Sequence, residues 1–178
     1  FGQSLSVAEL SFEQLRQSLP LVPSLAELIA AFGGNTHLML EIKDEPRPDA
    51  ITQKEHLASL LSSLTPGRDF HVLALDPALF NMVDFLPPES LLPVAELNTD
   101  VMSRAALAGE WSGLAGHYLL LTRRLMQEHA ERQQLIGTGF PSSCNCLFRE
   151  LNRGVEWVFS NHAVKLQRIR DEYLARAA

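Results

Sequence analysis

The chain has 178 residues, of which 46% are hydrophobic and 20% charged, a composition typical of one soluble globular domain. Its formal net charge of -6 argues against a nucleic-acid binder, because binding to phosphates needs a basic surface. No apolar run approaches the ~20 residues that span a bilayer, and the first residues do not resemble a signal peptide. We therefore expect a protein without a membrane span.

Two helical patterns open the chain, at residues 11–19 and 24–32. Pro20 stops the first pattern, and the second begins with the capping-box spacing of Ser24 and Glu27 and ends at Gly33. Strand and helix patterns then alternate. Strands are predicted at 36–43, 70–75, 91–97, 113–117, 135–140 and 155–160, and helices at 49–64, 76–86, 99–108, 119–133, 142–152 and 162–176. Repeated βα units imply a parallel sheet, either closed into a barrel or left open.

The only two cysteines, Cys144 and Cys146, lie near the predicted start of the helix at 142–152. No second cysteine pair is available to complete a four-ligand zinc site. We interpret both as reduced thiols, which favours a reducing, cytoplasmic compartment.

Polar side chains end nearly every predicted strand. They are Glu41, Lys43, Asp76, Glu96, His117, Thr138, Asn161 and His162. In a barrel these ends meet on one face, where catalytic residues collect. The chain has no Gly-x-Gly-x-x-Gly after a first strand and no Gly-Lys-Ser/Thr motif, which disfavours the nucleotide-binding versions of an open sheet.

The strand at 36–43 is the most informative stretch. Alternation places His37, Met39, Glu41 and Lys43 on one face, and Leu38, Leu40 and Ile42 on the other. An apolar face opposite a face that becomes charged at its end is typical of a buried parallel strand that opens on a site. From the residues alone, Glu41 and Lys43 are equally consistent with a binding site and with a buried ion pair.

Four segments, taken in order, resemble the glycerophosphodiester phosphodiesterase family. Residues 22–29 resemble the family's Pro-Thr-Leu-Glu-Glu, and 40–43 resemble Ile-Glu-Ile-Lys. Residues 75–77 resemble Ser-Phe-Asp-Pro, and 153–161 resemble Gly-Val-Asp-Gly-Ile-Ile-Thr-Asp. The four matches span almost the whole chain.

The resemblance implies a TIM-type (β/α)8 barrel that uses Mg2+ or Ca2+ to hydrolyse a small-molecule glycerophosphodiester to glycerol 3-phosphate and an alcohol. Glu41 matches the family's third metal-binding carboxylate, and Lys43 matches a lysine that helps to hold the phosphate. Residue chemistry agrees, since these cations prefer oxygen ligands and an ammonium suits phosphate oxygens.

The family's other site motifs are absent. Its His-Arg-Gly strand, Glu-x-Asp strand and His-Asp motif precede the segment that corresponds to Phe1, so neither catalytic histidine falls in this chain. We therefore expect residues 1–178 to form one domain, the C-terminal portion of the barrel with about its last five strands. The missing N-terminal barrel segment would come in cis or as a separate chain, and this chain alone would be inactive.

The barrel mouth also departs from the family pattern. Gly137-Thr138-Gly139-Phe140 replaces Trp-Thr-Val-Asn, and Ser160-Asn161 replaces the terminal Thr-Asp. His117, Glu96, Phe140, Asn161 and His162 are further candidates for the pocket, each with a structural alternative: core packing for Phe140 and helix capping for Glu96. The competing function is a noncatalytic barrel that binds a phosphorylated ligand or a partner protein.

Overall fold

A computed structural model describes residues 7–47 and 49–177. Within them, six parallel strands form one sheet in which each strand lies beside the next along the chain. The strands are β1 Leu38–Ile42, β2 Phe70–Ala74, β3 Leu91–Ala95, β4 Gly113–His117, β5 Leu135–Gly139 and β6 Trp157–Phe159. The barrel-type α/β architecture agrees with the prediction. All six predicted strands enter the described sheet, one more than the about five strands of the barrel that the chain was expected to supply.

The sheet is curled, because side chains of its first and last strands meet. The ring of His37, just before β1, stacks on that of Trp157 in β6 with centroids 6.0 Å apart, and His71 of β2 lies 4.6 Å from the same indole. Within the described residues β1 pairs only with β2, and β6 only with β5. The strands therefore form an open part of a barrel with two free edges.

In the part of the chain that the structure describes, seven α-helices separate or flank the strands: α1 Phe12–Ser18, α2 Leu25–Phe32, α3 Ala50–Leu61, α4 Thr99–Ala108, α5 Arg123–Ala130, α6 Cys144–Asn152 and α7 Ala163–Ala177. The predicted capping box of α2 is confirmed: Ser24 Oγ accepts from the Glu27 amide, and the Glu27 carboxylate accepts from the Ser24 amide. Cys144 and Cys146 are free thiols in the first turn of α6.

Two predicted helices differ from the structure. In place of the α-helix predicted at 76–86, residues Pro77–Val83 form a 3-10 helix whose N-terminus is capped by the Asp76 side chain. A second short 3-10 turn, Pro88–Ser90, precedes β3. The helix predicted at 119–133 begins only at Arg123, because Thr122 is its N-cap and accepts from the Leu125 amide. The residues between β4 and α5 are thereby free to form a loop beside the strand ends.

The predicted division of β1 into two faces is confirmed. Leu38, Leu40 and Ile42 pack in the layer between sheet and helices, whereas Met39 packs in the barrel interior with Leu73, Leu92 and Ala115. The strand is only partly buried, however, because it lies at an edge of the sheet. The prediction of a buried strand was wrong in this respect.

Trp157 and Phe159 of β6 pack in the barrel interior. Phe159 fits because Gly137 of the neighbouring strand has no side chain: a Cβ there would lie 2.8 Å from the Phe159 ring and 3.2 Å from the Ala115 Cβ. Small residues on β4 and β5 thus make room for the aromatic rings of β6.

None of the helices in the described parts of the chain has the length and apolarity that crossing a membrane requires.

Candidate functional site

A cavity of about 610 Å³ opens where the strands end. Its wall takes residues from the carboxyl ends of β1 to β6 or from the loops that follow them, including Glu41, Glu96, His117, Phe140 and Phe159. Four of the predicted site residues, Glu41, Glu96, His117 and Phe140, therefore share one cavity. This is the position at which barrel enzymes bind their substrates.

Glu41 and Lys43 form an ion pair at the edge of this cavity. Lys43 Nζ lies 2.5 Å from Glu41 Oε1, and the side chains are 62% and 38% exposed, respectively. The pair is thus not the buried ion pair that was the structural alternative. Both charges are accessible to solvent, and Glu41 also lines the cavity.

Glu96 follows β3 and has an exposed side chain. Its amide donates to Asn98 Oδ1 at 3.1 Å, and Asn98 is the N-cap residue of α4. Across residues 7–47 and 49–177, the Glu96 carboxylate makes no hydrogen bond or ion pair, so the helix-capping alternative is wrong.

His117, the last residue of β4, has a fixed ring. Its Nδ1 accepts from the Leu119 amide at 3.1 Å, so the neutral imidazole carries its proton on Nε2. The ring stacks on Tyr118 with centroids 4.5 Å apart and lies 5.3 Å from the ring of Phe140. The Arg149 guanidinium covers the Tyr118 ring at 4.8 Å. His117 is therefore held by backbone and aromatic contacts.

Phe140 does not pack in the core, so the structural alternative for this residue is wrong. Its side chain is 66% exposed and lines the cavity mouth. Its backbone has a φ of 72°, a conformation that costs a non-glycine residue ~1 kcal/mol. A hydrogen bond from its amide to the Phe159 carbonyl, 2.8 Å long, holds this turn.

Asn161 and His162 lie elsewhere. Both line a separate depression at the start of α7, together with Lys165 and Arg168. The His162 amide donates to Ser160 Oγ at 3.0 Å, and its carbonyl accepts from the Leu166 amide at 3.0 Å. The structure thus does not bring these two residues into the cavity with Glu41.

The described residues do not hold a metal ion by themselves. No group of three or more His, Cys, Asp or Glu side chains with metal-binding geometry exists in the part of the chain that the structure describes. Glu41 and Glu96 offer carboxylates to the cavity, but Mg2+ and Ca2+ take six or more oxygen ligands. Glu41 can contribute one ligand to a site whose other ligands lie outside these residues.

Sequence reasoning missed a histidine pair in the barrel interior. His37 Nδ1 lies 2.8 Å from the Arg68 carbonyl, and His37 Nε2 lies 2.8 Å from His71 Nδ1. Burial, followed by the neighbouring His37, lowers the pKa of His71 to about 4, although a backbone hydrogen bond at Glu89 acts in the opposite direction. The alternation of side chains along β1 already placed His37 on the inner face. Pairing β1 with β2 would then have shown that His71 lies near it.

A second missed feature is the buried carboxylate of Glu150, which is fully inaccessible to solvent. Arg149 Nε donates to its Oε1 at 2.7 Å, and Arg153 Nη1 donates to its Oε2 at 2.8 Å. Arg153 also donates to the carbonyls of Tyr118 and Leu121. The Arg149 side chain is 49% exposed and that of Arg153 is 27% exposed. Their contacts connect α6 to the loop that carries Tyr118.

No protein-family model matches the chain, and no curated protein matches its sequence. Several solved structures are similar to it in fold. A protein of Galdieria sulphuraria assigned to the glycerophosphodiester phosphodiesterases aligns with a TM-score of 0.73 and 20% identity, over 93% of this chain and 72% of the other. A glycerophosphodiester phosphodiesterase of Parabacteroides distasonis has a TM-score of 0.63 and 13% identity, over 82% and 60%.

A phosphodiesterase of Oleispira antarctica, solved in complex with the product sn-glycerol-3-phosphate, has a TM-score of 0.61 and 17% identity, over 82% of this chain and 59% of the other. At such identities the likeness shows the fold. The chain has the fold of part of the barrel of the glycerophosphodiester phosphodiesterases, as the resemblance implied, and it spans between 59% and 72% of the length of these three structures.

Proposed function

We propose that the chain is part of a metal-dependent phosphodiesterase that hydrolyses glycerophosphodiesters to glycerol 3-phosphate and an alcohol. One observation carries the proposal: Glu41 lines the cavity formed by the strand ends and pairs with Lys43, and both side chains are accessible to solvent. The sheet around them has the fold of proteins that bear this activity in their names. A charged pair at the carboxyl end of a barrel strand favours catalysis over a purely structural role.

The roles of the two residues follow from their chemistry. The Glu41 carboxylate is a ligand for Mg2+ or Ca2+, which prefer oxygen donors. The Lys43 ammonium, on the same face of the strand, neutralises charge on the phosphate oxygens. A bound divalent cation supplies Lewis-acid stabilisation of the phosphate. Because the two side chains are already in contact, a phosphate and a cation would be held side by side.

The free edges of β1 and β6 support a second part of the proposal. A further barrel segment, in cis or as a separate chain, pairs with both edges and supplies the remaining carboxylates and the catalytic histidines. A closed barrel of this type has eight strands. The described residues supply six of these strands, so β1 is the third strand of that barrel. A chain with the last five strands would have begun with the fourth. The cytoplasmic location stays a prediction.

The experiment uses the full-length protein with glycerophosphocholine, and glycerol 3-phosphate is measured by an enzyme-coupled assay. We expect hydrolysis that stops when a chelator is added and returns with Mg2+ or Ca2+. Hydrolysis that persists in the chelator would contradict the metal-dependent mechanism.

A noncatalytic barrel that binds a phosphorylated ligand or a partner protein is the second candidate. This candidate requires no metal site, and no three-residue metal cluster lies within residues 7–47 and 49–177. The segment that completes the barrel distinguishes the two functions. His-Arg and Glu-x-Asp motifs in that segment support the enzyme, and their replacement supports the binding protein.

A further inference from the structure

The His117 ring has one nitrogen that is fixed and one that is available to a ligand. The Leu119 amide donates to Nδ1 at 3.1 Å, so the neutral imidazole carries its proton on Nε2. Among the residues that the structure describes, none accepts a hydrogen bond from Nε2. Because the side chain lines the strand-end cavity, this N–H can donate to an oxygen atom of a molecule bound there.

Two side chains outside the cavity hold the plane of the His117 ring. The Tyr118 ring stacks on it with centroids 4.5 Å apart and an angle of 26° between the ring planes. The Arg149 guanidinium lies over the Tyr118 ring at 4.8 Å, within the range of a cation–π interaction. Neither Tyr118 nor Arg149 is among the residues that line the cavity. They can therefore affect a ligand there only indirectly, through His117.

Arg153 holds the backbone that supplies the Leu119 amide. Its guanidinium donates to the Tyr118 carbonyl at 3.4 Å and also to the Leu121 carbonyl. These two carbonyls lie on either side of Leu119 in the chain. Arg153 therefore fixes the segment whose amide determines which nitrogen of His117 carries the proton.

Glu150 joins the two arginines, and we name the three residues Arg149, Glu150 and Arg153 the Glu150 cluster. The carboxylate is fully buried and accepts from Arg149 Nε at 2.7 Å and from Arg153 Nη1 at 2.8 Å. A buried ion cluster gains little stability over apolar packing, because removing its charges from water is costly. Both arginines contact the segment 117–121, so the geometry that they impose there gives the cluster a function.

We propose that the Glu150 cluster positions His117, and that His117 Nε2–H donates a hydrogen bond to an oxygen atom of a glycerol phosphate group in the cavity. One arginine holds the plane of the ring through Tyr118, and the other holds the backbone amide at Nδ1. The inference rests on the proposed function for the identity of the ligand. It assigns a binding role to His117 and a positioning role to residues that do not reach the cavity.

The tautomer of His117 reports the positioning directly. In long-range 1H–15N spectra of the full-length protein, recorded above the pH range in which histidines titrate, we expect a protonated Nε2 and an unprotonated Nδ1. Arg153→Lys keeps a positive charge beside Glu150 but lacks the planar fork that bridges two carbonyls. We expect the two nitrogen signals of His117 in this variant to move towards each other, as they do when tautomers exchange.

Arg124→Lys is the matched control for this spectrum, because Arg124 forms an exposed i,i+4 pair with Glu128. Its His117 signals should equal those of the unmodified protein. Unchanged His117 signals in Arg153→Lys would overturn the positioning role of the cluster.

The binding role is measured by calorimetric titration of the full-length protein in Mg2+ with glycerol 3-phosphate. His117→Phe keeps an aromatic ring beside Tyr118 but has no N–H, and we expect about three- to tenfold weaker binding, the effect of one lost hydrogen bond. Tyr118→Leu removes the stacked ring and should also weaken binding, whereas the conservative Tyr118→Phe should restore the affinity. An unaltered affinity of His117→Phe overturns its role as a donor, and equal affinities of the two Tyr118 variants overturn the role of the stacked ring.

Failure of this inference and failure of the proposed function give different results. If glycerol 3-phosphate binds with the expected dependence on His117 but glycerophosphocholine is not hydrolysed, the proposed function fails and the role of His117 stands. If glycerophosphocholine is hydrolysed and His117→Phe has the KM and kcat of the unmodified protein, the proposed function stands and this inference is wrong. A protein that neither binds the first compound nor hydrolyses the second would contradict both.

Discussion

Lys43 Nζ and Glu41 Oε1 lie 2.5 Å apart at the carboxyl end of β1, and both side chains remain exposed to solvent. Exposed ion pairs of this kind contribute ~0–1 kcal/mol to stability. Glu41→Gln should therefore change the free energy of unfolding by less than ~1 kcal/mol, as measured by urea denaturation. A larger loss would show that Glu41 serves the fold, and the assignment of Glu41 to a site would lose its basis.

Glu150 has the opposite character, because its carboxylate is buried between Arg149 and Arg153. Glu150→Gln leaves both guanidinium groups without their counter-charge, and we expect a loss of ~3–5 kcal/mol in the free energy of unfolding. Glu128→Gln is the control, since Glu128 forms an exposed i,i+4 pair with Arg124 and should cost less than ~1 kcal/mol. Similar losses in the two variants would contradict the structural role of Glu150.

The buried His71 should make stability depend on pH. Its pKa is lowered to about 4 in the folded protein, against ~6.5 in the unfolded chain. The unfolded state therefore takes up a proton first as the pH falls. The stabilising contribution is present above pH ~6.5 and decreases by about 3 kcal/mol towards pH ~4.

Denaturation curves of His71→Gln between these pH values should be flatter than those of the unmodified protein. Some slope will remain, because burial also lowers the pKa of His129. His56→Gln, at an exposed position of α3, should retain the full slope. Parallel curves for all three proteins would exclude His71 as the source.

Gly137 and Gly139 provide a matched test of interior packing. Gly137→Ala brings a Cβ to 2.8 Å from the Phe159 ring, whereas at Gly139 the nearest atom is the Gly116 carbonyl oxygen at 3.6 Å. We expect Gly137→Ala to cost ~1–3 kcal/mol and Gly139→Ala clearly less. Thermal denaturation compares them, and an equal cost would mean that the interior accommodates the methyl group freely.

Local patterns predicted much of the fold. The bounds of α4 and β4 agree with the structure, and so do the capping box of α2 and the two faces of β1. The sequence did not define α5, because the apolar residues 119–121 continue its pattern although Thr122 is the cap. To predict a sheet of six strands from the sequence, one would have had to assume that every predicted strand belongs to the same sheet.

The site was predicted less well, for a physical reason. Strand-end positions identified Glu41, Glu96 and His117, because a parallel sheet brings such ends to one edge. The His37–His71 pair and the Arg149–Glu150–Arg153 cluster depend on contacts between distant or oppositely facing residues, which periodicity alone does not show. Asn161 and His162 also follow a strand, but the turn into α7 carries them to another depression.

Kinetics of Glu41→Gln in the full-length protein test the central claim most directly. Glutamine keeps the shape of the side chain and removes the charge that a divalent cation requires. We expect kcat for glycerophosphocholine in saturating Mg2+ or Ca2+ to fall at least ~100-fold. Glu45→Gln, at an exposed position four residues along the chain, should retain the activity of the unmodified protein. Unchanged, metal-dependent hydrolysis by Glu41→Gln would contradict the role of Glu41 as a metal ligand.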